Sequence, residues 1–231
     1  MVEIFQTKKS KCNYIFFPNF CGFKVPKSMI HNLETPNLNK FGCPSISSVN
    51  NKIYNANSFV SVEIEYGLKD GEPYYNYDLN KKDMQLNNDM HTLIKSLIVL
   101  QYENNLINLQ LLAPYAFVTD DKELEFTTVM PNMKTENSIY IHGGFKPYYW
   151  VRTFNSSWTL KDTSKPGKLY FDVNTPFISV VFNKSIDLKY MEITNKIKNY
   201  IDESFEVNRF RRNLNKIYNN ALSRRPKKLL Q

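Results

Sequence analysis

His142 has the neighbours that best fit catalysis or metal binding in this sequence. It precedes Gly143 and Gly144, so an imidazole would lie beside two accessible backbone amides. Those amides are candidate oxyanion donors, and an imidazole at a strand end is a candidate metal ligand. Metal-dependent jelly-roll enzymes, however, bring two histidines and a carboxylate together, usually with a His-x-Asp or His-x-Glu pair on one strand. None of the three histidines in this chain is followed two residues later by a carboxylate.

The cysteines form a second group with potential chemistry. Cys12, Cys21 and Cys43, with His31 between them, are residue types that bind zinc. The gaps between them are long, and no Cys-x-x-Cys pair is present to chelate a metal. An odd number of cysteines in a chain of this length does not resemble a disulfide framework. We therefore expect buried, reduced thiols, and the sequence predicts no cofactor.

Other catalytic patterns find little support. The sequence has no Gly-x-Ser-x-Gly elbow, no phosphate-binding glycine loop and no dinucleotide-binding glycine pattern. Two groups of carboxylates remain, namely Glu63 with Glu65, and Asp120, Asp121, Glu123 and Glu125. Neither group alternates Asp or Asn ligands around a glycine as calcium loops do. We interpret the first as the outer face of a strand and the second as a solvated turn.

The basic residues are concentrated at one end of the chain. The net charge is +8, from 30 basic and 22 acidic residues. Eight of the basic residues and none of the acidic ones lie within residues 207–231, so the rest of the chain is neutral. The eight are Arg209, Arg211, Arg212, Lys216, Arg224, Arg225, Lys227 and Lys228. Such a cluster predicts a contact with an acidic protein or with nucleic acid.

The overall composition is that of a folded chain without a membrane span. Of 231 residues, 42% are hydrophobic and 14% are aromatic, which is enough for a substantial core and excludes an intrinsically disordered chain. No apolar run approaches the length of a transmembrane helix, and the N-terminus lacks the pattern of a signal peptide. These features predict a cytoplasmic protein.

Hydrophobic periodicity identifies the elements that would position these groups. Alternation over residues 57–66 predicts a strand, and residues 67–71 would supply the turn of a hairpin. From Asn88 the spacing changes to that of an amphipathic helix, although residues 97–100 also fit a strand. Pro114 stands inside a strand pattern over residues 106–119. Because proline has no N–H for the ladder, it predicts an edge position, a bulge or a break.

The predicted core lies in an aromatic-rich stretch, residues 106–182. Its large side chains are Trp150, Phe154, Trp158, Tyr170, Phe171 and Phe177. Each can bury about 150–250 Å² between two sheets. Pro166 and Gly167 suit a tight turn. The fold class predicted is mainly β, with an antiparallel sandwich or jelly-roll-like core over residues 57–185.

The two ends of the chain are predicted to differ from this core. Residues 1–56 have aromatic and proline punctuation but little periodicity, which predicts an irregular wrapping segment. Residues 186–231 carry two helical apolar stripes, which predict a basic amphipathic helix with Asp187 as its cap. Pro226 would end that helix, and the residues around it are expected to fray.

A family resemblance covers about a third of the chain, residues 106–183. Its motifs are the run from Ala116 to Asn132, then a Gly-Gly pair, Asn155-x-x-Trp158, a Pro-Gly turn and a strand leading to Pro176-Phe177. Together they resemble a family of uncharacterised phage and bacterial proteins. The resemblance implies a shared β-rich domain and a phage origin. It implies no activity and transfers no catalytic residue.

Three hypotheses for function follow from these observations. The favoured one is a phage-type binding or structural protein, with a neutral β body and a basic helical tail for an acidic partner, in the host cytoplasm or the virion. The second is a jelly-roll, cupin-like metal-dependent enzyme that uses His142. The third is sequence-nonspecific nucleic-acid binding through the basic C-terminus. The sequence leaves the oligomeric state open.

Overall fold

In the computed structural model, the chain forms a β sandwich with helices at its periphery. The structure describes residues 9–17, 19–20, 23–24, 33–36, 52–58, 60–79, 88–173, 175–208 and 222–230. The described strands are β1 (Ser10–Phe16), β2 (Asn19–Phe20), β3 (Phe23–Lys24), β4 (Leu33–Glu34), β5 (Ile53–Asn57), β6 (Val62–Lys69), β7 (Glu72–Leu79), β8 (Ile98–Glu103), β9 (Leu106–Thr119), β10 (Phe126–Val129), β11 (Lys134–Glu136), β12 (Ser138–Ile141), β13 (Gly144–Phe145), β14 (Thr153–Leu160), β15 (Gly167–Phe171), β16 (Pro176–Phe182) and β17 (Ile186–Tyr190). The described helices are α1 (Asn88–Leu97) and α2 (Asn195–Asn208).

Three sheets build the sandwich. Sheet 1 has the order β12-β14-β9-β1-β17, and β8 also pairs with β9. Sheet 2 has the order β13-β10-β16-β5-β4, and sheet 3 the order β11-β15-β6-β7. Among the described strands of these sheets, β1 and β17 pair in parallel and the other pairs are antiparallel. The inner face of sheet 1 packs on sheets 2 and 3 through one large hydrophobic cluster.

Aromatic rings dominate that cluster. The predicted core is confirmed for Phe154, Trp158, Phe171 and Phe177, whereas Trp150 and Tyr170 are only partly buried and lie outside the cluster. Phe117 of sheet 1 stacks on Phe154 with 4.9 Å between ring centroids. Its ring also meets Phe126 and Phe182 of sheet 2 edge-on at 4.9 and 5.1 Å. Trp158 is fully buried beside them on β14. These offset and edge-to-face contacts add specific geometry to the area that each ring removes from water.

The predicted hairpin is confirmed as β6 and β7, with a tighter turn than expected. Asp70 and Gly71 alone make the turn, with φ of 55° and 83°. Two consecutive positive φ values fit the two-residue turn that matches strand twist. A second turn of this kind joins β8 to β9 through Asn104 and Asn105, with φ of 52° and 62°. The Asn-Asn pair was the sequence signal for this second hairpin, which the periodicity analysis missed.

Helix and strand are both present where the sequence allowed either. α1 ends at Leu97 and β8 begins at Ile98, so the two competing patterns describe consecutive elements. Leu93, Ile94 and Leu97 are buried on the core side of α1. The helix prediction is therefore confirmed, and the strand pattern belongs to the residues that follow it.

Pro114 lies at an irregularity of β9, as predicted. The register between β9 and β14 changes from Thr153 opposite Ala116 to Asn155 opposite Leu112. Three residues of β9 therefore face one residue of β14 around the proline. On the other edge of β9, the partner changes from β8 to β1 near the same point. A bulge accommodates the proline because the ladder is already interrupted there.

The N-terminal residues contribute more regular structure than expected. β1 lies between β9 and β17 in sheet 1, and β5 lies between β4 and β16 in sheet 2. β1 lies wholly, and β5 almost wholly, within residues 1–56, so the sandwich extends into the segment that the sequence indicated as irregular. Alternating burial at Cys12, Tyr14 and Phe16 places those side chains in the core.

The C-terminal helix begins later than predicted. Residues 186–190 form strand β17, which pairs with β1, so Asp187 is a strand residue and not a helix cap. α2 starts at Asn195, and the Thr194 hydroxyl accepts a hydrogen bond from the Ile197 amide at 3.3 Å. That contact satisfies one of the unpaired amides of the first helical turn. Residues 209–221 lie outside the described residues.

The outer face of sheet 1 is covered over half of its extent. A second hydrophobic cluster joins this face to α2 and to the C-terminal residues. Its buried members are Ile15, Ala116, Val118, Val151, Ile197, Tyr200, Ile201 and Leu229. Within the described residues, no helix is both long and apolar enough to cross a membrane.

Candidate partner-binding surface

Residues 222–230, here named the C-terminal segment, are held against the end of β9. Asp120, which follows that strand, accepts three hydrogen bonds from the segment. Its Oδ1 accepts from Arg225 Nη2 at 3.0 Å and from the Leu229 amide at 2.9 Å. Its Oδ2 accepts from the Leu230 amide at 3.0 Å. One carboxylate thus fixes two separate points of the segment.

Arg225 is the main anchor of the C-terminal segment. Its side chain is only 1% exposed, and its Nη2 also donates to the Thr119 carbonyl at 2.5 Å. The guanidinium lies over the Tyr148 ring at 4.2 Å from the centroid and near the Tyr200 ring at 5.8 Å. A planar cation of this kind pairs with a carboxylate and stacks on aromatic faces at the same time. These partners are distant from Arg225 in the sequence, so they surround it only in the folded chain.

Leu229 adds a hydrophobic anchor to the polar one. It is 2% exposed and belongs to the cluster that also contains Ile197 and Tyr200 of α2. Burying a leucine side chain contributes about 1.5–3 kcal/mol relative to leaving it in water. The prediction that the residues around Pro226 fray is therefore wrong. The helical conformation does stop before that proline, at Arg224.

The eight predicted partner-binding cations do not behave as one group. Arg225 is buried and bound to Asp120, so its assignment to a partner surface is corrected. Arg224, Lys227 and Lys228 are exposed on the docked segment. Arg209, Arg211, Arg212 and Lys216 lie outside the described residues. The structure thus leaves three exposed cations on a segment whose backbone is fixed.

The surroundings of the C-terminal segment include Lys122 and two carboxylates that are each paired with a lysine. Lys122 lies 5.7 Å from the centroid of Tyr148, the ring that also contacts Arg225. Nearby, Asp121 pairs with Lys184 at 2.7 Å and Glu125 pairs with Lys146 at 2.5 Å. Within the described ranges, Lys227 and Lys228 form no ion pair. Positive charge therefore predominates on the segment itself.

The turn after β9 is a structural junction and not the solvated turn that we expected. Asp121 accepts a hydrogen bond from the Ser10 hydroxyl at 2.6 Å and another from the Glu123 amide at 2.9 Å. Burial would raise the pKa of Asp121, but hydrogen bonds from Lys184, Ser10 and Glu123 and the charge of Lys184 lower it below its ordinary value. Asp121 therefore holds the start of β1, while its neighbour Asp120 holds the C-terminal segment.

The carboxylates of Glu63 and Glu65 form a surface ion network. Lys168 on β15 contacts Glu63 at 3.0 Å and Glu65 at 3.5 Å on the adjacent strand β6. The hydrogen bond and charge of Glu63 raise the pKa of Lys168 to about 12. Both glutamates lie on the outer face of sheet 3, as the alternation predicts. There both glutamates form ion pairs with Lys168 of the same chain.

His142 is exposed at the crossing from sheet 1 to sheet 2. Its Nδ1 lies 3.1 Å from the Thr128 carbonyl, and its ring meets the Tyr140 ring edge-on at 5.1 Å. The Gly143 amide donates to Thr128 Oγ1 at 3.0 Å, so it is already used within the chain as a donor. His142 and Gly143 form the connection between β12 and β13.

Cys12 lies in the interior of sheet 1. Its side chain is fully buried, and burial followed by the nearby charge of Asp121 raises the pKa of the thiol. A thiol in such surroundings is a poor metal ligand and a poor nucleophile. Cys21, His31 and Cys43 lie outside the described residues. Among the residues that the structure describes, no three His, Cys, Asp or Glu side chains come together as a metal site.

No protein-family model, curated protein or solved structure matches the chain. The resemblance of residues 106–183 to phage and bacterial proteins therefore stays a prediction.

The role of Asp120 in holding the C-terminal segment was not predicted from the sequence. The signals were an acidic pair placed directly after a long strand and a Leu229-Leu230 pair inside an otherwise polar tail. Apolar residues within a charged segment indicate that the segment packs on the fold, provided that the fold has an apolar surface to receive them. That surface is the outer face of sheet 1, which no local pattern identifies.

Proposed function

We propose that this protein is a phage-type binding or structural protein whose C-terminal segment recognises an acidic protein. The observation that supports it most directly is the anchoring of that segment by Arg225 and Leu229. Anchoring leaves Arg224, Lys227 and Lys228 exposed on a backbone that is already ordered. A preorganised surface loses less conformational entropy on binding than a mobile tail.

The charge distribution favours an acidic protein over nucleic acid as the partner. Only three exposed cations lie on the C-terminal segment, whereas strong nonspecific binding to nucleic acid uses many phosphate contacts. The turn beside the segment carries the exposed Glu123, which would repel a phosphate backbone. The other carboxylates of that turn are already paired with cations of the same chain. An acidic peptide can address individual lysines without lying across that turn. Residues 1–206 are neutral overall and add no net attraction.

The proposed setting is the host cytoplasm or the virion. It is supported by the resemblance over residues 106–183, which implies a phage origin.

Binding to a labelled polyglutamate peptide tests the proposal. Fluorescence anisotropy is measured for the full chain and for a variant with Arg224→Gln, Lys227→Gln and Lys228→Gln. We expect the parent to bind at low salt and the variant to bind at least about tenfold more weakly, because surface charges control the electrostatic attraction. High salt should weaken the parent more than the variant, since the screened charges are those removed.

A matched control separates this surface from total charge. Lys134→Gln, Lys165→Gln and Lys189→Gln remove the same number of exposed cations from other parts of the surface. This control should bind polyglutamate like the parent. Equal loss in both triple variants would refute a specific surface. Tighter binding of a single-stranded oligonucleotide than of polyglutamate would replace the acidic protein by nucleic acid as the partner.

A further inference from the structure

The outer face of sheet 1 has an open half next to the half that α2 and the C-terminal segment cover. The open half, here named the amide face, spans four strands. Register pairs form two complete rows across it. One row is Ile139, Thr159, Asn108 and Gln101, and the other is Ile141, Ser157, Gln110 and Val99. Asn155 and Leu112 begin a third row.

The amide face contains no charged residue. Its ten side chains are carboxamides, hydroxyls and aliphatic groups, in a chain where 23% of residues are charged. Charged residues appear only at its margin, with Glu103 at the end of β8 and Lys161 after β14. By contrast, the outer face of sheet 3 carries Glu63, Glu65 and Lys168. Depletion of charge within a patch that has a charged margin is the pattern of a protein interface.

The polar groups of the amide face are partly organised already. Gln110 Nε2 donates to Gln101 Oε1 at 3.1 Å, and Asn155 Nδ2 donates to Ser157 Oγ at 3.2 Å. Each carboxamide still has donor and acceptor capacity beyond these contacts. Asn108 Oδ1 is buried and accepts no hydrogen bond from the described residues. The side chains of the face are therefore held in place by hydrogen bonds, but some of their donors and acceptors are still unused.

The edge of the amide face exposes two isoleucines. Ile139 is 47% exposed and Ile141 is 41% exposed, both on β12. β12 is a terminal strand of sheet 1, and among the described residues no other strand pairs with its second edge. Sheet edges in monomeric proteins normally carry charges or proline that prevent association. β12 itself, Ser-Ile-Tyr-Ile, carries neither.

We propose that the amide face binds a second copy of this chain about a two-fold axis. A two-fold interface requires a surface complementary to itself. Carboxamides meet this requirement because each one donates and accepts, and the isoleucines can pack on their counterparts. The net charge of +8 makes copies of the chain repel each other, and the amide face is where they approach without like charges. This inference is independent of the proposed C-terminal interface.

Sedimentation equilibrium of the full chain over a range of concentrations tests the proposal. We expect a reversible dimer whose dissociation constant falls as salt is raised, because no ion pair lies in the contact and salt screens the repulsion between two chains of charge +8. Gln110→Lys with Ser157→Lys places like charges at the centre of the face. This variant should raise the dissociation constant at least about tenfold, because like charges brought together disfavour association.

A control variant and a fold measurement make the outcome decisive. Asn76→Lys adds an exposed charge on β7 of sheet 3, outside the amide face, and should leave the dimer unchanged. Circular dichroism and thermal unfolding must show that the double variant folds like the parent. Should it fail that check, Ile139→Ser with Ile141→Ser provides the second test and should also weaken the dimer. A chain that stays monomeric up to about 100 μM, or a dimer that keeps its affinity in a folded double variant, overturns the proposal.

Discussion

Arg225 donates from Nη2 to Asp120 Oδ1 at 3.0 Å and thereby joins the C-terminal segment to the turn after β9. The adjacent residue, Asp121, accepts from the Ser10 hydroxyl at the start of β1. Two consecutive carboxylates thus hold the first described strand and the last described segment at one place. The charged turn that the sequence predicted to be solvated therefore contacts both β1 and the C-terminal segment.

Removing the Arg225 side chain should release the C-terminal segment. Arg225→Ala leaves Asp120 without its cation and opens the space against Tyr148, and breaking a buried pair costs about 3–5 kcal/mol. We expect a loss at the low end of this range, because Asp120 is 28% exposed. Urea unfolding measures the free-energy change, and trypsin cleavage at Lys227 and Lys228 reports release of the segment.

Lys227→Ala is the control for this experiment. The side chain is exposed and forms no ion pair within the described ranges, so its removal should change stability by no more than about 0.5 kcal/mol. Unchanged urea midpoint and unchanged trypsin resistance in Arg225→Ala would show that the contact with Asp120 does not hold the segment.

Asp121 should make stability depend on pH in the acid range. Its pKa in the folded chain is lowered, so its contribution is present above the unfolded value of about 3.9 and disappears as pH falls through the folded value. Asp121→Asn should cost about 1 kcal/mol at neutral pH. The difference between parent and variant should shrink as the pH is taken below about 3.9.

Urea unfolding at a series of pH values measures this difference. Asp172→Asn is the matched control, because that carboxylate is exposed and accepts no hydrogen bond from the described residues. A gap between parent and Asp121→Asn that stays constant from neutral to strongly acidic pH would contradict the assigned ionic role.

Gly167 is required because neighbouring side chains leave no room for a Cβ, and not because its backbone needs a conformation that only glycine favours. It begins β15 with an ordinary φ, so the tight turn predicted at Pro166 and Gly167 ends one residue earlier. A Cβ at this position would lie 2.7 Å from Leu160 Cδ2 and 2.8 Å from both Ser138 Oγ and Tyr66 Cε1. Gly167→Ala should therefore destabilise the chain by about 1–3 kcal/mol through overpacking.

Thermal or urea unfolding of two alanine variants tests this explanation. At Gly144 the nearest atoms to an added Cβ are 3.9 Å away, so Gly144→Ala should change stability by no more than about 0.5 kcal/mol. Equal stability of the two variants would show that sheets 1 and 3 leave room for a methyl group at Gly167.

Local patterns were sufficient where neighbouring residues decide the structure. The alternation before Asp70 specified the β6–β7 hairpin, and the helical spacing from Asn88 specified α1. Pro114 specified an interruption in β9 because its missing N–H acts at its own position. The aromatic content of residues 106–182 likewise specified a sandwich core, since those rings can be buried only between layers.

Distant contacts decided the remaining elements. Residues 186–190 are compatible with a helix, but pairing with β1 makes them a strand. That pairing supplies backbone hydrogen bonds from residues about 176 positions earlier, a separation that no periodicity analysis samples. β1 was missed for the same reason, because its partners β9 and β17 come much later in the chain.

The sequence by itself determined the mainly β class, the aromatic core and the concentration of positive charge near the C-terminus. Only the tertiary structure decided that Arg225 leaves this set of exposed cations and becomes a buried anchor. Its partners Asp120, Tyr148 and Tyr200 come from three separate parts of the chain. Charge is a property of each residue, whereas burial depends on which surfaces the fold brings together.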